Sequence, residues 1–395
     1  MREPPKTILF VHNSNDLYGA DMVLFNLIQA LDRKEFRPIV VLPRDVRHIG
    51  RLSVKLQAIG IPCRFLALGV LRRKYLTPLQ AGPLLAALVY ATAALCALIR
   101  REKVDIVHTN TLTILASPFA ARLMNRPHIW HIHEIIPGKA GPRKLMHWIV
   151  THLSSRVVAV SNAVRGHILA DQPSKACSIE TIRNGIDLSL FLPRGCGRET
   201  VRHELNIPDQ ALVIGMIGRV SAWKGQSVFA EASSKVSTEH PGLYFVAVGG
   251  TFDNQPGRMA AFQEQVESLN LTNFRICGYR QDVPAVLRSF DIFVLPSILP
   301  DPFPTVVMEA MAAALPVIAA DCGGVPEMVI PGLTGILVPP GDAGALAAAI
   351  GKLIRDHSAR AAMGEAARRR AETNFQLTPF VRQFERTYRS VLKSV

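Results

Sequence analysis

The sequence predicts an α/β protein made of two doubly wound, Rossmann-like domains, and three observations carry the prediction. Strand-like apolar runs alternate along the chain with helical patterns of about 10–15 residues, as parallel sheets with covering helices require. A chain of 395 residues is long for one core and comfortable for two domains of ordinary size. A stretch rich in Gly, Pro and charge, residues 184–208, interrupts the alternation midway.

In chain order, the runs 8–11, 37–42, 106–108, 129–133 and 157–160 read as strands of a first sheet. The runs 212–217, 244–248, 274–277, 292–295 and 317–319 read as strands of a second. The expected domains are 1–185 and 209–377, with 186–208 as linker. The segment 377–392 carries apolar and aromatic residues at helical spacing. Sheets of this type bind ligands at the C-terminal ends of their strands.

Composition narrows the function. Apolar residues make up 49% and charged residues 19%, which is globular and not disordered. The six cysteines are scattered, with no C-x-x-C and no Cys/His cluster at zinc spacing, so they read as buried thiols in a reducing compartment. No D-x-D occurs, and a metal-free site is expected. The opening Met1-Arg-Glu-Pro-Pro-Lys6 runs straight into a strand-like segment and has no secretion-signal pattern, so a cytoplasmic protein is expected. Residues 1–185 hold 25 Lys and Arg against 11 Asp and Glu, while residues 186–395 hold 20 of each, so the whole net charge of +14 lies in the first half. That asymmetry points to an anionic surface or ligand met by the first half. With no nucleic-acid-binding motif, an anionic membrane or a phosphate-bearing acceptor fits better than nucleic acid.

Residues 82–99 contain no charge and are flanked by Arg72-Arg73-Lys74 and by Arg100-Arg101-Glu102-Lys103. Eighteen uncharged residues reach the lower limit of a membrane span. Six alanines, Pro83 and Thr92 lower the apolarity, and a sheet strand follows at once. A helix packed on the first sheet, with or without a face that touches lipid, is the expected outcome.

The most informative stretch is Asp301-Pro-Phe-Pro-Thr-Val-Val-Met-Glu309. Helix formers from Val306 onward predict a helix starting near Thr305, with Asp301 on the loop before it and Glu309 a turn inside. The amides of Phe303, Thr305 and Val306 stand where a helix start receives phosphate; Pro304 has no N–H to offer. A carboxylate on each side suits the hydroxyls of whatever the phosphate carries. Arg219 and Lys224 follow the apolar run 212–217, and Gly218 lets backbone come close. Two cations five positions apart are able to clamp a diphosphate. In Trp130-His131-Ile132-His133-Glu134 the two imidazoles share one face of a strand. Asn13-Ser-Asn-Asp-Leu-Tyr-Gly-Ala-Asp21 leads from the first strand into a helix, with Gly19 allowing close approach.

These segments, in this order, resemble the retaining glycosyltransferases of family 4, of GT-B fold: two Rossmann-like domains facing across a cleft. Asp301 stands for the first Glu of the family's E-x7-E signature, and Pro304 for a frequent Gly. Val213-Ile-Gly-Met-Ile-Gly-Arg-Val-Ser-Ala-Trp-Lys-Gly225, Asn184-Gly-Ile-Asp187, Gly278-Tyr-Arg-Gln-Asp-Val283 and Asp291-Ile-Phe-Val-Leu-Pro-Ser297 resemble the family's other motifs. The resemblance implies a nucleoside-diphosphate sugar as donor substrate, no cofactor and no metal. Arg219 and Lys224 would contact the pyrophosphate, Glu309 the ribose, and Asp301 the sugar. Backbone around Tyr279 and Arg280 would meet the base. His133, with His131 behind it, would face the sugar near the reaction centre. A last helix, 378–395, would return to the first domain. Ala314 stands where the family often has a helix-ending Gly. The expected activity is sugar transfer to a lipid-linked or phosphate-bearing glycan in cell-surface polysaccharide assembly, at the inner face of the membrane. A non-catalytic scaffold and a sugar-nucleotide epimerase are the alternatives.

Overall fold

The computed structural model describes residues 4–44, 51–71, 81–193, 197–251, 255 and 257–394; the basic flank at 72–74 lies outside them. The chain divides into two compact units, residues 1–185 with 377–395, and residues 186–376.

The first unit is a seven-stranded sheet in the order β3-β2-β1-β4-β5-β6-β7. Its strands are β1 (Lys6–Val11), β2 (Phe36–Pro43), β3 (Cys63–Leu66), β4 (Ile106–Thr109), β5 (His128–Ile132), β6 (Arg156–Ala159) and β7 (Ile179–Thr181). Every pairing is parallel. The central strands are buried on both faces and so read as unbroken apolar runs. Ile8 and Phe10 face helices Gly19–Ala30 and Arg51–Ala58, together with the last helix, Leu377–Lys393, which inserts Phe380, Phe384 and Tyr388. Leu9 and Val11 face the opposite way, onto helices Ala81–Arg101 and Ala116–Leu123. Period-two alternation thus supplies both cores of this unit.

The second unit is a six-stranded sheet in the order β10-β9-β8-β11-β12-β13. Its strands are β8 (Leu212–Ile217), β9 (Leu243–Val248), β10 (Phe274–Cys277), β11 (Ile292–Leu295), β12 (Val317–Ala320) and β13 (Gly335–Val338), again all parallel.

Two corrections concern this frame. Strands β3, β7 and β13 are absent from the expected set, and all three lie at sheet edges. The stretch expected as linker contains helix Arg198–Glu204, which belongs to the second unit. Its Arg202 is fully buried, donating to Asp291 at 2.8 Å and to the carbonyl of Ser289 at 3.0 Å. A charged sequence is helical here because its cations Arg198 and Arg202 converge on the buried Asp291 carboxylate, and Arg202 also binds core carbonyls.

Both strand orders reverse direction once, between β1 and β4 and between β8 and β11. At such a point neighbouring loops leave in opposite directions and open a crevice at the strand ends.

Candidate functional site

In the second unit, the loops after β8 and β11 hold most of the expected donor residues. The β8 loop carries Gly218, Arg219 and Lys224 and ends at Gly225, which opens helix Gln226–Glu239. Gly225 has φ +81°, and a Cβ there would lie 1.9 Å from the carbonyl oxygen of Pro296. Only glycine lets the two loops touch at that point. Ile298 N–H closes the contact by donating to the Trp223 carbonyl at 2.6 Å. Gln226 steadies the start of the loop, its amide donating to the carbonyl of Arg219 at 2.9 Å.

Across this contact, Lys224 Nζ pairs with the Asp301 carboxylate. Both side chains are mostly shielded, so the pair is held in an environment less screening than bulk water. Asp301 is seated from behind as well. Gly324 N–H donates to its carbonyl at 2.8 Å. Gly323 has φ +62°, and a Cβ there would lie 2.1 Å from that same oxygen. Both glycines act here through backbone, as the seat of the Asp301 loop.

Helix Thr305–Ala312 starts as expected, with Pro304 as its N-cap residue and the Pro304 carbonyl accepting from Val307 N–H at 3.1 Å. The first amides of a helix, here those of Thr305 and Val306, have no acceptor within it. Phe303 is buried and packs edge-on against Phe375, with ring centroids 5.8 Å apart, which anchors the turn. Glu309 lies one turn in, receives the Thr305 hydroxyl, and has its carboxyl pushed up to about 7 by burial. Arg280 differs from its neighbours: its guanidinium is forked by Asp282 and also bound to Glu204, which holds its proton more tightly still. What Arg280 offers a ligand is therefore largely backbone.

In the first unit, His133 follows the last residue of β5 and Gly19 opens helix Gly19–Ala30 after β1. Asn110, just past β4, ties them together. Its carbonyl oxygen is 3.0 Å from His131 Nδ1 and 3.3 Å from His133 Nε2. Its amide donates to the Ala20 carbonyl at 3.3 Å and to His12 Nδ1 at 3.2 Å. That contact leaves His12 Nε2–H pointing at Asp21, 2.7 Å away. Asp21 also accepts from Ser14 and from Tyr18 N–H, closing the Gly19 loop. Burial drives the His133 imidazole down to about 3 and His131 well below its ordinary value, with neighbouring imidazoles adding to the effect, so both rings are neutral at pH 7. Glu134 accepts the amides of Leu112 and His133 and is pushed up to about 7 by burial. Asn110, His12 and Asp21 were not among the expected site residues. The strand–loop position of Asn110 at the switch point is the signal that could have found it.

Comparison with known proteins agrees with the fold of both units. Residues 18–190 match the family model described as Glycosyltransferase Family 4, and residues 197–370 match Glycosyl transferases group 1. The chain is 28% identical to alpha-maltose-1-phosphate synthase of Mycolicibacterium smegmatis, over 78% of this chain and 84% of that protein. It is 33% identical to D-inositol 3-phosphate glycosyltransferase of Corynebacterium jeikeium, over 48% of this chain and 46% of that protein. The fold is that of Anabaena HepE, whose crystal structure in complex with UDP-glucose superposes with a TM-score of 0.83 at 24% identity, covering 97% of this chain and 99% of that one. With each unit matched in turn, the chain belongs to the GT-B glycosyltransferases, a family 4 first unit joined to a group 1 second unit.

Proposed function

We propose that the protein transfers a sugar from a nucleoside-diphosphate sugar to a hydroxyl of a phosphate-bearing or lipid-linked acceptor, with retention at the anomeric carbon and without a metal. One observation supports this most: Lys224, Asp301 and the start of helix Thr305–Ala312 share one loop junction at the switch point of the second sheet. Cation, carboxylate and unpaired amides together suit a sugar diphosphate. Relatives named for maltose 1-phosphate and inositol 3-phosphate chemistry, and a neighbour that binds UDP-glucose, agree in ligand class.

In this reading Arg219 and Lys224 neutralise the departing diphosphate, and the helix amides receive a phosphate oxygen. Glu309 accepts a ribose hydroxyl and Asp301 a sugar hydroxyl. The anomeric C–O bond to the diphosphate breaks while the acceptor oxygen bonds to the same face of that carbon. The acceptor's proton leaves on the departing phosphate. The neutral His133 edge of the first unit serves as a hydrogen-bonding surface for sugar and acceptor hydroxyls. The net +14 of residues 1–185 favours an anionic acceptor and peripheral attachment at the inner face of the membrane, as in cell-surface polysaccharide assembly.

The test is a thermal-shift screen of UDP, GDP, ADP and their common sugars without added metal, followed by transfer assays with the stabilising donor. A ligand at 100 times its dissociation constant adds about 2.7 kcal/mol. Arg219→Ala is expected to abolish the shift and to lower kcat/KM by about 10²–10³. A chain that responds to no nucleotide would be a non-catalytic scaffold.

A further inference from the structure

Helix Ala81–Arg101 is long and apolar enough to cross a membrane by length and composition, yet it lies along the first sheet. Ala91, Leu95, Leu98 and Ile99 are buried against Leu9, Val11, Ile39 and Val41, so pulling the helix out as a span would strip one face of the core. Its opposite stripe breaks the usual pattern of a sheet-covering helix, which turns charge to solvent. No charged residue occurs from Gly82 to Ile99, and Leu85, Val89 and Tyr90 are 62%, 63% and 64% exposed.

The same feature continues on the two neighbouring helices. Ala116–Leu123 packs on the first, Cys96 reaching the Ala120 carbonyl, and Ala140–Leu153 touches the second. These add Leu123, 69% exposed, Leu145, 59%, and Trp148, 48%. Together the three helices contain five basic residues, Arg100, Arg101, Arg122, Arg143 and Lys144, and no Asp or Glu. Of these, Arg143 is tied to Asp171 and Arg101 to Glu102.

We infer that this three-helix face is the surface by which the protein lies on an anionic lipid bilayer, with its apolar stripe in the headgroup region. Apolar side chains in a net basic surround, with Arg100, Arg122 and Lys144 beside the Arg101–Glu102 and Arg143–Asp171 pairs, match the amphipathic character of interfacial binding, where lipid charge and apolar burial add. A second copy of the chain is the poorer occupant, because a two-fold contact would set one net basic face against another. The inference gives the peripheral attachment proposed above a definite face, but it stands or falls without any sugar transfer.

The test is sedimentation of the full chain with vesicles of phosphatidylcholine alone and with added phosphatidylglycerol, at low and high salt, beside the variant Val89→Glu/Trp148→Glu. Both positions are exposed, so the variant should keep its melting temperature and its nucleotide-induced shift. Binding is expected only with the anionic vesicles, to weaken with salt, to be reversed by alkaline carbonate, and to fall at least about tenfold in the variant. Should the double variant melt early, Leu85→Ser carries the same comparison. Equal binding of variant and parent, equal binding to neutral vesicles, or no binding at all would overturn the inference. So would resistance to carbonate, which means a span, or a dimer that the variant splits, which assigns the face to a second copy.

Discussion

At its switch point the first sheet gathers the neutral His131 and His133 with Asn110 and His12 into one hydrogen-bonded network, in which Asp21 is latched to His12 and Ser14. The second sheet, wound the same way, presents Arg219, Lys224 and Asp301 there, with full charges part-shielded and joined across two loops. Shared topology fixes where ligands meet these units, while the loop residues decide which kind. A pre-bonded edge with neutral imidazoles suits neutral hydroxyls, whereas an edge that carries full charges suits a diphosphate whose charge changes during reaction.

The comparison is broken most severely by Gly323→Ala. The new Cβ must displace the Asp301 carbonyl and adopt a left-handed backbone, at a cost of about 2–3 kcal/mol. Its melting temperature should fall, and nucleotide-sugar affinity should fall with it as the Asp301 loop shifts. A variant with full affinity would show that the seat of Asp301 is dispensable.

Acid should act on the two units in opposite directions. In the first, burial lowers His108, His128, His131 and His133, so the unfolded chain binds more protons and stability is lost as pH falls from about 6.5 toward 3. Glu134, raised to about 7, opposes this between about 4.5 and 7, but it is one group against these four, and burial lowers His147 and His167 as well. In the second unit Glu309 is raised to about 7, so its contribution is present in acid and lost as pH rises through that same window. Hydrogen exchange followed peptide by peptide should show the first unit opening before the second as pH drops from 7 to about 5. Simultaneous opening would mean that the imidazoles are better solvated than their burial implies.

The smallest effect is expected at Ala314, which ends helix Thr305–Ala312 with φ +57°. Ala314→Gly should add about 1 kcal/mol by removing the left-handed penalty, with activity unchanged. Chemical denaturation reads this directly.

Much of the frame was legible because buried parallel strands are apolar on both faces, and runs such as 212–217 and 292–295 coincide with β8 and β11. The missed strands lie where that signal fades. β3 is half-exposed and carries Arg64, β7 is three residues long and carries Glu180, and β13 has only its ends buried. An edge strand has one neighbour and needs fewer apolar side chains. Helix Arg198–Glu204 was hidden for a different reason: its stabilising contacts run from Arg202 to Asp291, 89 positions away, and no local pattern records them. At the site, Lys224 and Asp301 were each visible as residue types, but their pairing needs the Gly225 contact that brings the two loops together. Asn110 escaped because a single amide after a strand has no distinctive spacing.

The return of helix Leu377–Lys393 to the first unit has a consequence for biosynthesis. The second unit is one continuous stretch of chain, complete as soon as residue 376 has left the ribosome. The first unit, although made earlier, lacks Phe380, Phe384 and Tyr388 until the last helix emerges, and it must wait with one face of its sheet covered only in part, by helices Gly19–Ala30 and Arg51–Ala58. The unit synthesised first is thus the one to finish folding last, and in that interval the rings that Tyr388 will cover, Phe10 and Phe36, are where a nascent chain would call on a chaperone.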